Sequence, residues 1–132
     1  FCRHTIEHFL DVARLMYLYN LEEQAGLKKE LIYAAALLHD IGRYEQISLG
    51  TPHDIASARM AEEILHDCNF SDQDIHLIQD AILHHRGNSE SGETMLAHYL
   101  YRADKQSRNC FCCPSCKECN WPKDKKNLEI NY

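Results

Sequence analysis

The chain has 132 residues, one domain's worth and enough to bury a single core around one active site. Hydrophobic residues make up 45% and charged residues 26%, which argues against a disordered tail and against a coiled coil. A formal net charge of -6 excludes a surface built to attract a nucleic-acid backbone or an anionic membrane, so a phosphorylated ligand needs metals or local Arg and Lys to offset the repulsion.

From Thr5 to about Tyr19, Ile6, Phe9, Leu10, Ala13, Met16 and Tyr17 recur at intervals of three and four, predicting a helix with one buried stripe that ends at Asn20. Leu27, Leu31, Ala34, Ala35 and Leu38 repeat the period in a second helix, with Gly42 as its stop and His39 and Asp40 in its last turn. A loop with Gly50 and Pro52 follows. A third helix then runs from about Asp54 to Cys68, with His53 at its entrance. Ser71-Asp-Gln-Asp74 has the form of a capping motif, opening a fourth helix whose stripe is Ile75, Ile78, Ile82 and His85. After a polar turn over 88–92, Met95, Leu96, Tyr99, Leu100 and Ala103 predict a fifth helix ending near Asp104. No strand and no internal repeat is evident. The expectation is an all-α bundle of about five core helices over residues 1–108, with a Cys-rich tail over 109–132 packed on the same domain.

No apolar run approaches the roughly 20 residues needed to span a bilayer. The start, Phe1-Cys2-Arg3-His4, resembles neither a signal nor a transit peptide, and the lack of an initiator Met points to a clipped chain. Of the seven Cys, five crowd between Cys110 and Cys119, whereas a secreted disulfide framework would spread them, so a reducing cytoplasm is expected.

Nine His are many for surface polar groups, and several fall at the inner ends of apolar stripes, where an unpaired imidazole is costly. The decisive segment is Ala35-Ala36-Leu37-Leu38-His39-Asp40-Ile41-Gly42, which sets imidazole beside carboxylate at the end of an apolar helix. This segment resembles the motif of the HD superfamily in its HDIG form. His8 in His8-Phe-Leu-Asp-Val12-Ala13, then His53, the pair His84-His85, and Asp104 in Tyr101-Arg-Ala-Asp104-Lys105 extend the resemblance over about residues 4 to 108.

The resemblance implies a compact helical HD domain and metal-dependent phosphohydrolase activity. It implies that His8, His39, Asp40 and Asp104 hold one metal, and that Asp40, His53 and His85 hold a second, with Asp40 as the bridge and His39 and Asp40 as the catalytic doublet. Imidazole with carboxylate favours Fe or Mn, with Zn, Ni or Mg admissible. Two cations ~3.5 to 4 Å apart lower the pKa of a bridging water and clamp a phosphoryl oxygen, so the expected reaction is hydrolysis of a phosphate ester or anhydride. Ala81-Ile82-x-x-His85 and Tyr101-x-Ala-Asp104 resemble segments of the symmetrical diadenosine tetraphosphate hydrolases, which implies a nucleotide or dinucleotide substrate. The doubled histidine resembles the HD-GYP cyclic-dinucleotide phosphodiesterases, yet no Gly-Tyr-Pro segment follows His53.

A single His at the end of a stripe is more often a satisfied core or cap residue than a ligand, but the ordered set His8, His39, Asp40 and Asp104 goes beyond that reading. His84 points about 100° around the helix from His85 and joins the site only if the helix end is distorted. His4 reads as a surface or supporting residue, and His66, His76 and His98 as surface residues. Arg43, Arg86 and Lys105 are candidates for binding substrate phosphate, or else solvated surface charges. Cys110-x-x-Cys113-x-x-Cys116-x-x-Cys119 has thiolate spacing for Zn or an iron-sulfur cluster, and equally suits reduced thiols packing a tail.

Three functions compete: a phosphohydrolase, a catalytically silent nucleotide-binding or metal-sensing module, and a protein whose Cys-rich tail is the working part. The expected partner is a small phosphorylated molecule, with neither nucleic acid nor membrane, and homodimerisation is left open.

Overall fold

The computed structural model describes residues 5–85, 94–130 and 132. Six α-helices follow one another: α1 (Ile6–Glu22), α2 (Lys29–Leu38), α3 (Arg43–Leu49), α4 (His53–Asp67), α5 (Asp72–His84) and α6 (Met95–Gln106). Two single 3-10 turns, Cys110–Cys112 and Lys123–Lys125, complete the described residues, which contain no strand. The all-α reading holds, with five longer helices and one short one between α2 and α4. The polar turn at 88–92 and Arg86 lie outside the described residues.

α2 is the hub: it touches α1, α4, α5 and α6, while α4 packs on α5 and α1 closes against α6. Ala35 and Ala36, both fully buried, let the neighbouring helices approach it. Around them Val12, Met16, Ile32, Leu65, Ile78, Ile82, Leu96 and Leu100 interlock in one core, each large side chain contributing roughly 1.5–3 kcal/mol by leaving water.

The helix ends show what periodicity could not resolve. α1 runs past Asn20, which is buried. Its side-chain amide donates to the Leu27 carbonyl at 3.1 Å and its Oδ1 accepts the Leu27 N–H at 2.8 Å, so Asn20 fastens the loop into α2 instead of ending α1. α2 stops at Leu38, which moves His39 and Asp40 out of the helix and into the turn beyond it.

Gly42 does not stop a helix by left-handed geometry, since its φ is -86°. It is glycine because α4 passes against it: a Cβ there would lie 2.5 Å from the Ser57 backbone nitrogen and 2.6 Å from the Ala56 Cβ. The Gly42 N–H also donates to Ser57 Oγ at 2.8 Å, so the turn carrying the His-Asp doublet is pinned to α4.

α3 occupies part of the segment read as a loop. It buries no residue, and Tyr44, Ile47 and Leu49 face outward, so no apolar stripe announced it. Helix starts were better encoded. Ser71 Oγ accepts the Asp74 N–H at 3.2 Å, and Thr94 Oγ1 caps α6 by accepting the Ala97 N–H at 3.1 Å.

The segment after α6 lies along that helix's end. The Asn127 side-chain amide donates to the Lys105 and Arg108 carbonyls, each at 2.8 Å, and the Arg108 guanidinium lies 3.8 Å from the centre of the Trp121 ring. Lys126 Nζ donates to the Cys116 and Cys119 carbonyls at 2.6 and 3.1 Å.

Candidate metal centre

Six of the proposed ligands converge although they come from five places in the chain. His8 stands on α1, His39 and Asp40 in the turn after α2, His53 at the first position of α4, His85 just beyond α5, and Asp104 in the last turn of α6. Asp40 Oδ1 lies 3.3 Å from His53 Nε2 and 3.4 Å from His85 Nε2, while its Oδ2 lies 3.5 Å from His39 Nε2. Asp104 Oδ1 lies 3.2 Å from His8 Nε2 and 3.5 Å from His39 Nε2. Donor atoms of Asp40, His53 and His85, of His8, His39 and Asp40, and of His39, His85 and Asp104 form three groups, each close enough to hold one ion. All but half-buried His8 are buried.

Buried imidazoles need orientation, and the backbone supplies it. His39 Nδ1 donates to the Ala36 carbonyl and His85 Nδ1 to the Ile82 carbonyl, both at 2.6 Å. His53 Nδ1 donates to Gln46 Oε1 at 2.7 Å; that oxygen also takes the His53 N–H at 2.8 Å. Carbonyl oxygens only accept, so the proton of each neutral ring sits on Nδ1 and the Nε2 lone pair faces the cluster. The two lone pairs of His53 and His85, 3.1 Å apart beside a carboxylate oxygen, repel one another unless a cation or proton lies among them. This donor set fits divalent metal: neutral imidazole nitrogens and carboxylate oxygens, with the second nitrogen of each ring fixed by a hydrogen bond.

The electrostatics are those of a tightly coupled charge cluster. Burial alone would lower the pKa of His39, but Asp104 and Asp40 outweigh it and raise it above its ordinary value. Burial would raise the Asp104 carboxyl, yet hydrogen bonds from His39 and His8 and the charge of Lys105 hold it well below the usual carboxylate range.

Two of the three proposed phosphate-binding cations stand at the rim. Arg43 Nε lies 3.0 Å from Asp40 Oδ2, and Lys105 Nζ lies 3.1 Å from Asp104 Oδ2. The third, Arg86, is outside the described residues. A cavity of ≈ 640 Å³ reaches His8 from outside, lined among others by Thr5, Asp11, Arg108, Asn109, Cys110 and Cys113.

His84 is not brought in. α5 stays regular through this residue, and the ring turns back, with Nδ1 2.7 Å from the Asp80 carbonyl and 3.3 Å from its carboxylate. Cys110, Cys113, Cys116 and Cys119 do not gather either: among the described residues no group of three donors close enough for one ion includes a thiol. Their segment is tied down by Lys126 instead.

Gln46, Ser57 and Arg108 escaped the sequence reading. Gln46 sits on a helix without a buried stripe, Ser57 looks like one more small residue on α4, and Arg108 acquires its place only when the following segment folds back.

Comparison with known proteins agrees with this geometry. The chain is 48% identical over all of its 132 residues to an uncharacterized protein of Clostridium beijerinckii, covering 82% of that protein. No solved structure matches. The family model described as "HD domain" matches residues 5–109, the span that carries all six converging side chains, and the chain belongs to the HD domain family.

Proposed function

We propose that this protein is a metal-dependent phosphohydrolase that cleaves a phosphate ester or anhydride of a nucleotide or dinucleotide. The observation that carries the reading is the division of Asp40 between two sets of histidines, Oδ1 toward His53 and His85 and Oδ2 toward His39. A carboxylate so placed suits a bridge between two cations, with His8, His39 and Asp104 completing one side and His53 and His85 the other. Fe or Mn suits this mixed donor set best.

Bound divalent ions supply an activated water and charge neutralisation at the phosphoryl group. The chain's own residues do the rest. Ala36, Ile82 and Gln46 hold three imidazoles in the tautomer that presents Nε2 inward. Burial of His39, Asp40, His53, His85 and Asp104 keeps bulk water from the cluster and strengthens its electrostatics. Arg43 and Lys105, held at the rim by Asp40 and Asp104, offer N–H donors to substrate phosphate, Arg43 as a planar fork and Lys105 as a point charge. These cations and the metals answer the repulsion between a phosphorylated ligand and a chain of net charge -6.

The test is turnover with metal accounting. Protein loaded with Mn or Fe is assayed for phosphate or nucleotide release from a panel of nucleotides and dinucleotides, with metal content measured by mass spectrometry. Metal-dependent release supports the reading. Full metal loading and tight nucleotide binding without release would establish the silent binding module in its place.

A further inference from the structure

A second cavity, of ≈ 550 Å³, lies between α6 and the segment that folds back along it, and its composition is unusual for so acidic a chain. Tyr101, Arg102 and Lys105 line it from α6, and Trp121, Pro122 and Lys125 from the opposite wall. Volume and lining suit a drug-sized organic ligand, which fills cavities of roughly 300–1,000 Å³. The cations divide into those with a task and those without. Arg102 is held by Glu23 at 2.8 Å and lies over the Tyr19 ring, whereas Lys125 is exposed and meets no carboxylate among the described residues.

Lys105 joins this cleft to the metal centre. Its ammonium is 3.1 Å from Asp104 Oδ2, and the other oxygen of that carboxylate faces His8 and His39. One face of the Trp121 ring carries the Arg108 guanidinium, 3.8 Å from its centre, and Arg108 is anchored through its carbonyl by Asn127. A rigid indole, a tyrosine and two lysines leading toward a hydrolytic centre form a receptor for a planar ring joined to phosphate.

We propose that this cleft seats the nucleobase of the substrate, stacked at Trp121, with Lys125 and Lys105 guiding the phosphate end toward Asp104. This rests on the phosphohydrolase reading and deepens it: the substrate is a nucleoside phosphate and not a sugar phosphate or inorganic polyphosphate. Stacking on an aromatic side chain contributes about 1–3 kcal/mol per base and tolerates any base, so the cleft selects for a ring more than for a particular one.

Trp121 is the chain's single tryptophan, so its emission reports the cleft directly. The metal-loaded full chain is titrated with adenosine diphosphate and guanosine diphosphate, and in parallel with ribose 5-phosphate and inorganic phosphate. Saturable quenching by both nucleoside diphosphates but by neither compound lacking a base is expected. Trp121→Leu should raise KM for nucleotides about 10-fold or more, the effect falling on KM more than on kcat, and Trp121→Phe should recover most of it. Lys125→Ala, at an exposed position outside the core, should raise KM severalfold and weaken its dependence on salt. Equal responses to ribose 5-phosphate and nucleotide, or a KM unmoved in both Trp121→Leu and Lys125→Ala, would overturn the proposal. Quenching without turnover keeps the cleft and removes the hydrolase reading; turnover with no quenching and an unmoved KM does the reverse.

Discussion

Gln46 Oε1 accepts from both the backbone N–H and the ring Nδ1 of His53, at 2.8 and 2.7 Å, so one amide oxygen on α3 fixes the first residue of α4 in position and in tautomer. This makes Gln46 a positioning residue for His53, a proposed metal ligand. Gln46→Ala should leave the helical content intact and lower metal affinity or turnover about 10- to 100-fold, the usual cost of losing such a partner. Metal titration followed by mass spectrometry checks it; an unchanged affinity would show that packing alone orients His53.

Asp40 is the residue both sides of the cluster share. Asp40→Asn keeps its size but replaces one acceptor oxygen by a donor and removes the charge, so the cluster loses its link between His39 and the His53–His85 pair. Metal content should fall by at least half and turnover by at least about 100-fold. His84→Ala is the counterpart: with its ring turned to Asp80, metal content and turnover should stay within about twofold.

Close packing at the turn that carries the His-Asp doublet predicts a stability effect. Gly42→Ala would drive a methyl group against the Ser57 nitrogen, 2.5 Å away, and overpacking of this kind costs about 1–3 kcal/mol. At about 4 °C per kcal/mol for a chain of this size, the Tm should fall by roughly 4–12 °C. Ser57→Ala leaves the buried Gly42 N–H without its acceptor and should cost about 1–3 kcal/mol as well.

The coupled His39 and Asp104 predict opposite pH limbs. His39 has a folded pKa raised above 6.5, so its contribution to stability is complete below pH 6.5 and is lost as pH rises through the folded value. Asp104 is depressed below 3.8, so its contribution is present above pH 3.8 and is lost as pH falls through the folded value. Denaturation of chelator-treated protein from pH 3 to 9 should show both limbs, with the alkaline one missing in His39→Gln. Metal uptake must displace the His39 proton, so affinity should strengthen as pH rises above 6.5.

What the sequence determined by itself is the part carried by local pattern. Stripes at three and four placed the five longer helices because each buries one face, and the Ser71 cap was legible because its partner Asp74 lies three residues on. The order of His8, the His39-Asp40 doublet, His53, His85 and Asp104 marked the side chains that converge, because each sits at a helix start, end or inner face that the fold turns inward. Tertiary structure alone decided the rest. The direction of His84 depends on α5 remaining regular, the identity of Gly42 on how closely α4 passes, and the roles of Gln46 and Arg108 on contacts from elements that have no periodic stripe. The even spacing of Cys110, Cys113, Cys116 and Cys119 is a one-dimensional regularity. Among the described residues it brings no three thiols within reach of one ion, and the Cys116 and Cys119 carbonyls are taken instead by Lys126 Nζ, a contact that the Cys spacing does not encode.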